Sequence, residues 1–135
     1  MVPLMSYLLM VKESEIKIEV KDAYKNASGK TECAYFVQQV TNAPSTTAWK
    51  QGKNVLEASP GTIPRGTAIA TFVNGNYPND DLGKHAAIYL SHDKNEIQVL
   101  DQWNSQHMVK QRPIRAKKPA GTRRSNVAED FYVIE

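Results

Sequence analysis

A chain of 135 residues with 41% hydrophobic and 23% charged residues has the size and composition of one soluble globular domain spanning 1–135, and neither disorder nor a membrane span is indicated. The formal net charge is a mild +3 and there is a single cysteine, Cys33. That count excludes an intramolecular disulfide and a structural zinc held by several thiolates, and neither a metal nor a cofactor is expected.

In chain order, the apolar run 1–11, MVPLMSYLLMV, is too short to cross a bilayer. It lacks the basic start and small-residue cleavage site of a signal peptide, so it packs on the domain or is an appended remnant. A protein acting in the cell envelope would then need a specialised delivery route. Residues 15–20 alternate in polarity, as a strand or extended arm does. Gly29-Lys30-Thr31-Glu32-Cys33-Ala34-Tyr35-Phe36-Val37-Gln38 reads as a loop breaking into the first turn of a helix. Thr31 or Ser28 is the candidate cap, Glu32 suits the first turn, and the stop is Asn42-Ala43-Pro44. Unpaired N–H groups and the positive dipole end lower a thiol pKa and hold an oxyanion, so Cys33 is a candidate nucleophile. It also shares an apolar stripe with Phe36, Val37 and Val40, and a free cysteine is often only a small buried hydrophobe. A partner has to decide between the two.

Residues 42–47 read as a turn and second cap, leading to a short helix over 47–51 that ends at Gly52 and carries a core Trp49. Beyond the Pro60-Gly61 and Pro64-Arg65-Gly66 turns the signals are β: strands over 67–72, 85–90, 97–100, 109–114 and 131–134. The loop 74–83 is a rim or lid over a cleft, or a plain connection. Helices first and an antiparallel meander after them define an α+β class. The basic residues Arg112, Arg115, Lys117, Lys118, Arg123 and Arg124 form an anion-attracting surface or a solvated loop. The absence of interleaved aromatics favours the loop and argues against nucleic acid as a partner.

The hairpin turn over 91–95 supplies the partner for Cys33. Centred on Asp93 it sets His85 opposite Asp101; centred half a step later it sets His85 opposite Gln102, with Ala86, Ile88, Leu90, Ile97 and Val99 on one face. Either arrangement provides an imidazole to take and return the thiol proton and a polar group to fix its tautomer. His92, in the turn, and His107, in a polar loop, are weaker candidates.

The motifs Gly-Lys-Thr-Glu-Cys33-Ala-Tyr-Phe-Val-Gln, Pro-Arg-Gly-Thr-Ala-Ile-Ala-Thr-Phe, Gly-Lys-His85-Ala-Ala-Ile-Tyr-Leu and Ile-Gln-Val-Leu-Asp101-Gln-Trp resemble the papain-like peptidoglycan amidases and endopeptidases. The NlpC and CHAP branches and the small amidase effectors of bacterial type VI secretion are the nearest, over residues 29–103. The resemblance implies Cys33 as nucleophile, His85 as general base and acid, and Asp101 or Gln102 as the orienting residue. Tyr24 falls where the NlpC branch keeps a tyrosine near the oxyanion, and Trp103, just after the third position, is either a wall of the substrate groove or a core tryptophan. Glu32-Cys33-Ala34 departs from the Asp-Cys-Ser of that branch, which leaves the scissile bond open. The implied activity is hydrolysis of an amide in the peptidoglycan stem peptide through a thioester, in the periplasm or envelope, and an immunity protein stays open as a second partner. The alternatives are a papain-like toxin acting on protein, by proteolysis or deamidation, and a non-enzymatic basic binding module.

Overall fold

A computed structural model describes residues 6–79 and 83–135. Residues 1–5 of the apolar run and 80–82 of the loop before His85 lie outside the described residues. Among the described residues one α-helix, α1 (Cys33–Val40), accompanies six strands: β1 (Gln51–Asn54), β2 (Ala68–Thr71), β3 (Ala86–His92), β4 (Glu96–Asp101), β5 (Lys110–Arg115) and β6 (Phe131–Ile134). The strands form one antiparallel sheet in the order β1-β6-β2-β3-β4-β5. The class is α+β, with the meander confined to β2–β5. The last strand returns to lie between β1 and β2.

Both faces of the sheet are covered, so β2 and β3 read as near-continuous apolar runs rather than alternating ones. On one face Phe36, Val37 and Val40 of α1 pack on Ala68, Ala70, Ala86, Ile88, Leu90 and Leu100. On the other, Ile69, Ala87, Tyr89, Ile97, Val99 and Phe131 form a second core under residues Val55, Ala58 and Ile63. The expected single face holding Ala86, Ile88, Leu90, Ile97 and Val99 is therefore split between the two cores. In that second core Tyr89 Oη lies 2.6 Å from His92 Nδ1, and His92 Nε2 lies 2.7 Å from the Ala58 carbonyl. The buried imidazole is structural.

Two elements differ from expectation. The short helix over 47–51 is a single 3-10 turn at Thr46–Ala48, followed by β1 with Gly52 inside it. A Cβ on Gly52 would sit 2.8 Å from the Val133 carbonyl, so this glycine permits close pairing of β1 with β6 rather than ending a helix. The segment 15–20 makes one bridge, Ile18 to Val109, after a 3-10 turn at Glu13–Glu15; with Ile18 N–H bonded back to the Ile16 carbonyl at 3.1 Å and Glu19 at φ +59°, it is a turned segment and not the expected strand or extended arm. The described part of the apolar run does pack on the domain. Leu8 bridges Thr67, Leu9 N–H donates to the Gly66 carbonyl at 3.0 Å, and Met10 N–H donates to the Val40 carbonyl at 2.8 Å. No helix among the described residues is long and apolar enough to cross a membrane.

Candidate active site

Cys33 is the first residue of α1, and the entry to that helix is held by groups from distant parts of the chain. The N-cap is Glu32, in extended geometry at φ −70°, ψ 142°, without a side-chain cap hydrogen bond. Thr31 does not cap; its hydroxyl donates to the carbonyls of Trp103 and Asn104 at 3.1 and 3.4 Å. Ser28 instead belongs to a turn in which Asn26 Oδ1 accepts from the N–H groups of Ser28 and Lys30, both at 3.0 Å, while Asn26 Nδ2 donates to Glu32 Oε2 at 3.2 Å. Gly29 adopts φ +79° in that turn, a conformation that favours glycine. The loop thus delivers Cys33, half-buried, to a helix start whose first N–H groups have no intrahelical partners.

His85 immediately precedes β3. Its N–H donates to Thr71 Oγ1 at 3.1 Å, its carbonyl accepts from Thr71 N–H at 3.0 Å, and Thr71 Oγ1 donates in turn to the Gly83 carbonyl at 2.6 Å. The side chain is 5% exposed, and its Nε2 lies 2.7 Å from Asp101 Oδ2, a carboxylate with no exposure at all. A carboxylate only accepts, so Nε2 carries a proton and Nδ1 is the nitrogen left for a second partner.

Neither expected register produces this pairing. Asp93 is the first residue of the turn, not its centre: its Oδ1 accepts from Asn95 N–H at 2.7 Å and Glu96 N–H at 3.0 Å. His92 pairs with Ile97 and Ser91 with Gln98; a bulge at Leu90 then shifts the ladder by one residue, so that Tyr89 pairs with Val99 and Ile88 with Leu100. Continued to the strand ends, the ladder sets Asp101 opposite Ala87 and diagonal to His85 on the same face. A diagonal separation is within reach of a histidine ring. Gln102 points elsewhere: its Nε2 donates to the carbonyls of Tyr24 at 3.0 Å and Glu32 at 2.9 Å. That amide fastens the helix entry and is not the partner of His85.

Arg112, on β5, was placed with the surface cations by sequence but belongs to this cluster. Its Nε donates to Asp101 Oδ2 at 2.9 Å, and its guanidinium lies 5.0 Å from the Trp103 ring centroid. The other end is held by Asn126 Oδ1 at 3.2 Å. Nη2 comes within 3.4 Å of His85 Nε2, where two donors meet. Arg115 is also engaged, 3.6 Å from Glu96. The pairing of Arg112 was not legible locally, because β5 meets β4 only through the ladder that joins Asp101 to Lys110.

Tyr77 is the second residue missed by sequence. Its hydroxyl lies 3.7 Å from Cys33 Sγ and its ring stacks edge-on against Trp49, centroids 4.8 Å apart. The only sequence signal was an aromatic residue in the polar loop before His85. Tyr24 packs its ring on Phe36 at 5.1 Å, and its hydroxyl accepts from Lys17 N–H at 3.1 Å. It does not line the cleft.

The electrostatics follow from these contacts. Burial pushes the Cys33 thiol up, but the charge of His85, hydrogen bonds from His85 and Tyr77, and the Ala86 N–H outweigh it and bring the thiol below its ordinary value. Burial likewise opposes protonation of His85; the charge of Cys33 and the hydrogen bond to Asp101 prevail and raise it to about 9. Burial and the neighbouring charge of Cys33 hold Tyr77 protonated, as a donor. The pair therefore favours thiolate and imidazolium together, and its two protons titrate as a unit. Cys33, Tyr77, His85 and Trp103 open onto a cleft of about 820 Å³, with Lys30 and Lys84 among its walls. Among the described residues no cluster of histidine, cysteine and carboxylate side chains has the makings of a metal site.

A cysteine at a helix start, packed against an antiparallel sheet that carries a histidine and a carboxylate at adjacent strand ends, is the papain-like arrangement. The comparison with solved structures agrees: a type VI secretion amidase effector 2 (Tae2) superposes with a TM-score of 0.71 and 34% identity, over 85% of this chain and 87% of that one. The chain belongs to the domesticated amidase effector 2 family, which matches residues 7–134. It is 37% identical over 114 residues to the type VI secretion amidase effector 2 protein of Salmonella typhi, covering 77% of this chain and 84% of that protein. It is 38% identical over 92 residues to domesticated amidase effector 2 of Ixodes scapularis, covering 67% of this chain and 59% of that protein.

Proposed function

We propose that the chain is a cysteine amidase of bacterial peptidoglycan, in which Cys33 attacks an amide carbonyl of the wall peptide. The observation that carries this reading is His85 held between the thiol and Asp101, with Nε2 tied to Oδ2 at 2.7 Å and Nδ1 left for the sulfur. Attack forms a tetrahedral intermediate whose oxyanion meets the unpaired N–H groups at the start of α1. His85 then gives its proton to the leaving amine, and the C–N bond breaks to leave a thioester on Cys33. Water, deprotonated by the same nitrogen, hydrolyses the thioester and restores the thiol. Asp101 orients the ring, and Arg112 Nε donates to the same Oδ2, giving a carboxylate with no exposure a cationic neighbour. Two of the relatives, the Salmonella typhi protein and the solved structure, are named for type VI secretion, which supports delivery by a secretion system; the place of action is then the periplasm, where peptidoglycan lies. Mass analysis of products from purified peptidoglycan, digested by wild type and by Cys33→Ala, tests the reading. Wild type yields cleaved peptides with one new amine and one new carboxylate; an undigested wall sinks it.

Two smaller predictions attach to this mechanism. The iodoacetamide reactivity of Cys33 rises with an inflection well below the ordinary thiol value of about 8.5. An inflection at or above that value would mean the imidazolium does not stabilise the thiolate. Arg112→Met leaves Asp101 buried with one cationic neighbour fewer, and breaking a buried pair costs about 3 kcal/mol. Denaturant titration should show that loss, with Arg112→Lys recovering part of it.

A further inference from the structure

The cleft continues past His85. A second cavity, of about 350 Å³, shares Lys84, His85, Trp103 and Arg123 with the first, lacks Cys33, and extends to Arg112 and Ser125. Among the described residues three cations line it and no carboxylate does. Two of the three are engaged: Arg112 with Asp101, and Arg123 with a partner of its own. Lys84 forms no ion pair among the described residues, and it lies on the wall common to both cavities. A cation in a partly enclosed pocket that no described carboxylate lines attracts an anion from the substrate. A rigid aromatic wall, Trp103, limits what can enter.

We propose that this cavity is a carboxylate subsite, in which Lys84 selects wall peptides carrying a free carboxylate near the scissile amide. The proposal rests on the amidase reading above and names the chemistry of its substrate. Two sources of carboxylate exist in such a peptide, a chain terminus and an acidic side chain, and the test separates them.

The probes are three synthetic wall peptides: one with both carboxylates free, one with the terminal carboxylate converted to carboxamide, and one with the side-chain carboxylate converted. Binding is measured calorimetrically with Cys33→Ala, so that no cleavage is needed, and cleavage is measured separately with wild type. One of the two carboxamide peptides should bind about tenfold more weakly than the free acid, the scale of one charge-assisted hydrogen bond. It identifies the carboxylate that enters the cavity. In the Cys33→Ala background Lys84→Met should shrink that ratio to within about twofold, and Lys84→Arg should preserve it. Equal affinity for all three peptides, or a preference that survives Lys84→Met, overturns the subsite. Equal affinity with efficient cleavage would leave the amidase reading standing; a Lys84-dependent preference without cleavage would do the reverse.

Discussion

Cys33→Ala is expected to leave less than about one part in 10⁴ of wild-type peptidoglycan hydrolysis, measured by product release from purified wall. The magnitude follows from what is removed. Without sulfur there is no covalent intermediate, and the remaining groups at the start of α1 and on His85 can only polarise an amide toward water. The fold should survive: the substitution deletes one half-buried atom from the edge of the core formed by Phe36, Val37 and Val40. Unchanged thermal unfolding beside lost hydrolysis is therefore the expected pair of results. Retention of even a tenth of the activity would show that another nucleophile does the chemistry.

His85→Gln is expected to lower hydrolysis by about 10³-fold or more, because proton transfer alone contributes about 10²- to 10⁴-fold. The substitution also removes the main cause that holds the thiol down. Burial is then the largest remaining influence on Cys33 and acts upward. With its pKa returned to about 8.5 or above, the thiol is ionised to only a few per cent at pH 7. Iodoacetamide labelling at pH 7 should fall accordingly and recover at high pH. Labelling that keeps the wild-type pH dependence would show that the helix start alone activates the sulfur.

The pH profile carries its own sign. His85 holds its proton in the folded protein up to about 9, above the ordinary imidazole value of about 6.5. The stability this confers is complete below about 6.5 and is lost as pH rises through 9. Cys33 is displaced downward, so its contribution is present above the ordinary thiol value and lost as pH falls through the lowered one. Hydrolysis should accordingly show an alkaline limb near pH 9, where the imidazolium is lost. The limb belongs to the pair and not to either residue alone.

By itself the sequence determined the class and the local placement of Cys33, His85 and Asp101. Glycine, a short polar loop and an apolar i, i+3, i+4, i+7 stripe place Cys33 at a helix start, and β-branched runs separated by turn residues place His85 and Asp101 at strand ends. Those are local properties, set by propensity and periodicity within a few residues of each position. Only the tertiary structure decided which polar group meets the imidazole. The Asp93 side chain moved the turn forward, the bulge at Leu90 altered the ladder, and each step of one residue exchanges the faces of a strand. Tertiary structure also turned Gln102 to the helix entry, drew Arg112 from the surface set onto Asp101, and brought Tyr77 to the sulfur. Those contacts join residues 70, 11 and 44 positions apart in sequence, and no local propensity encodes such a contact.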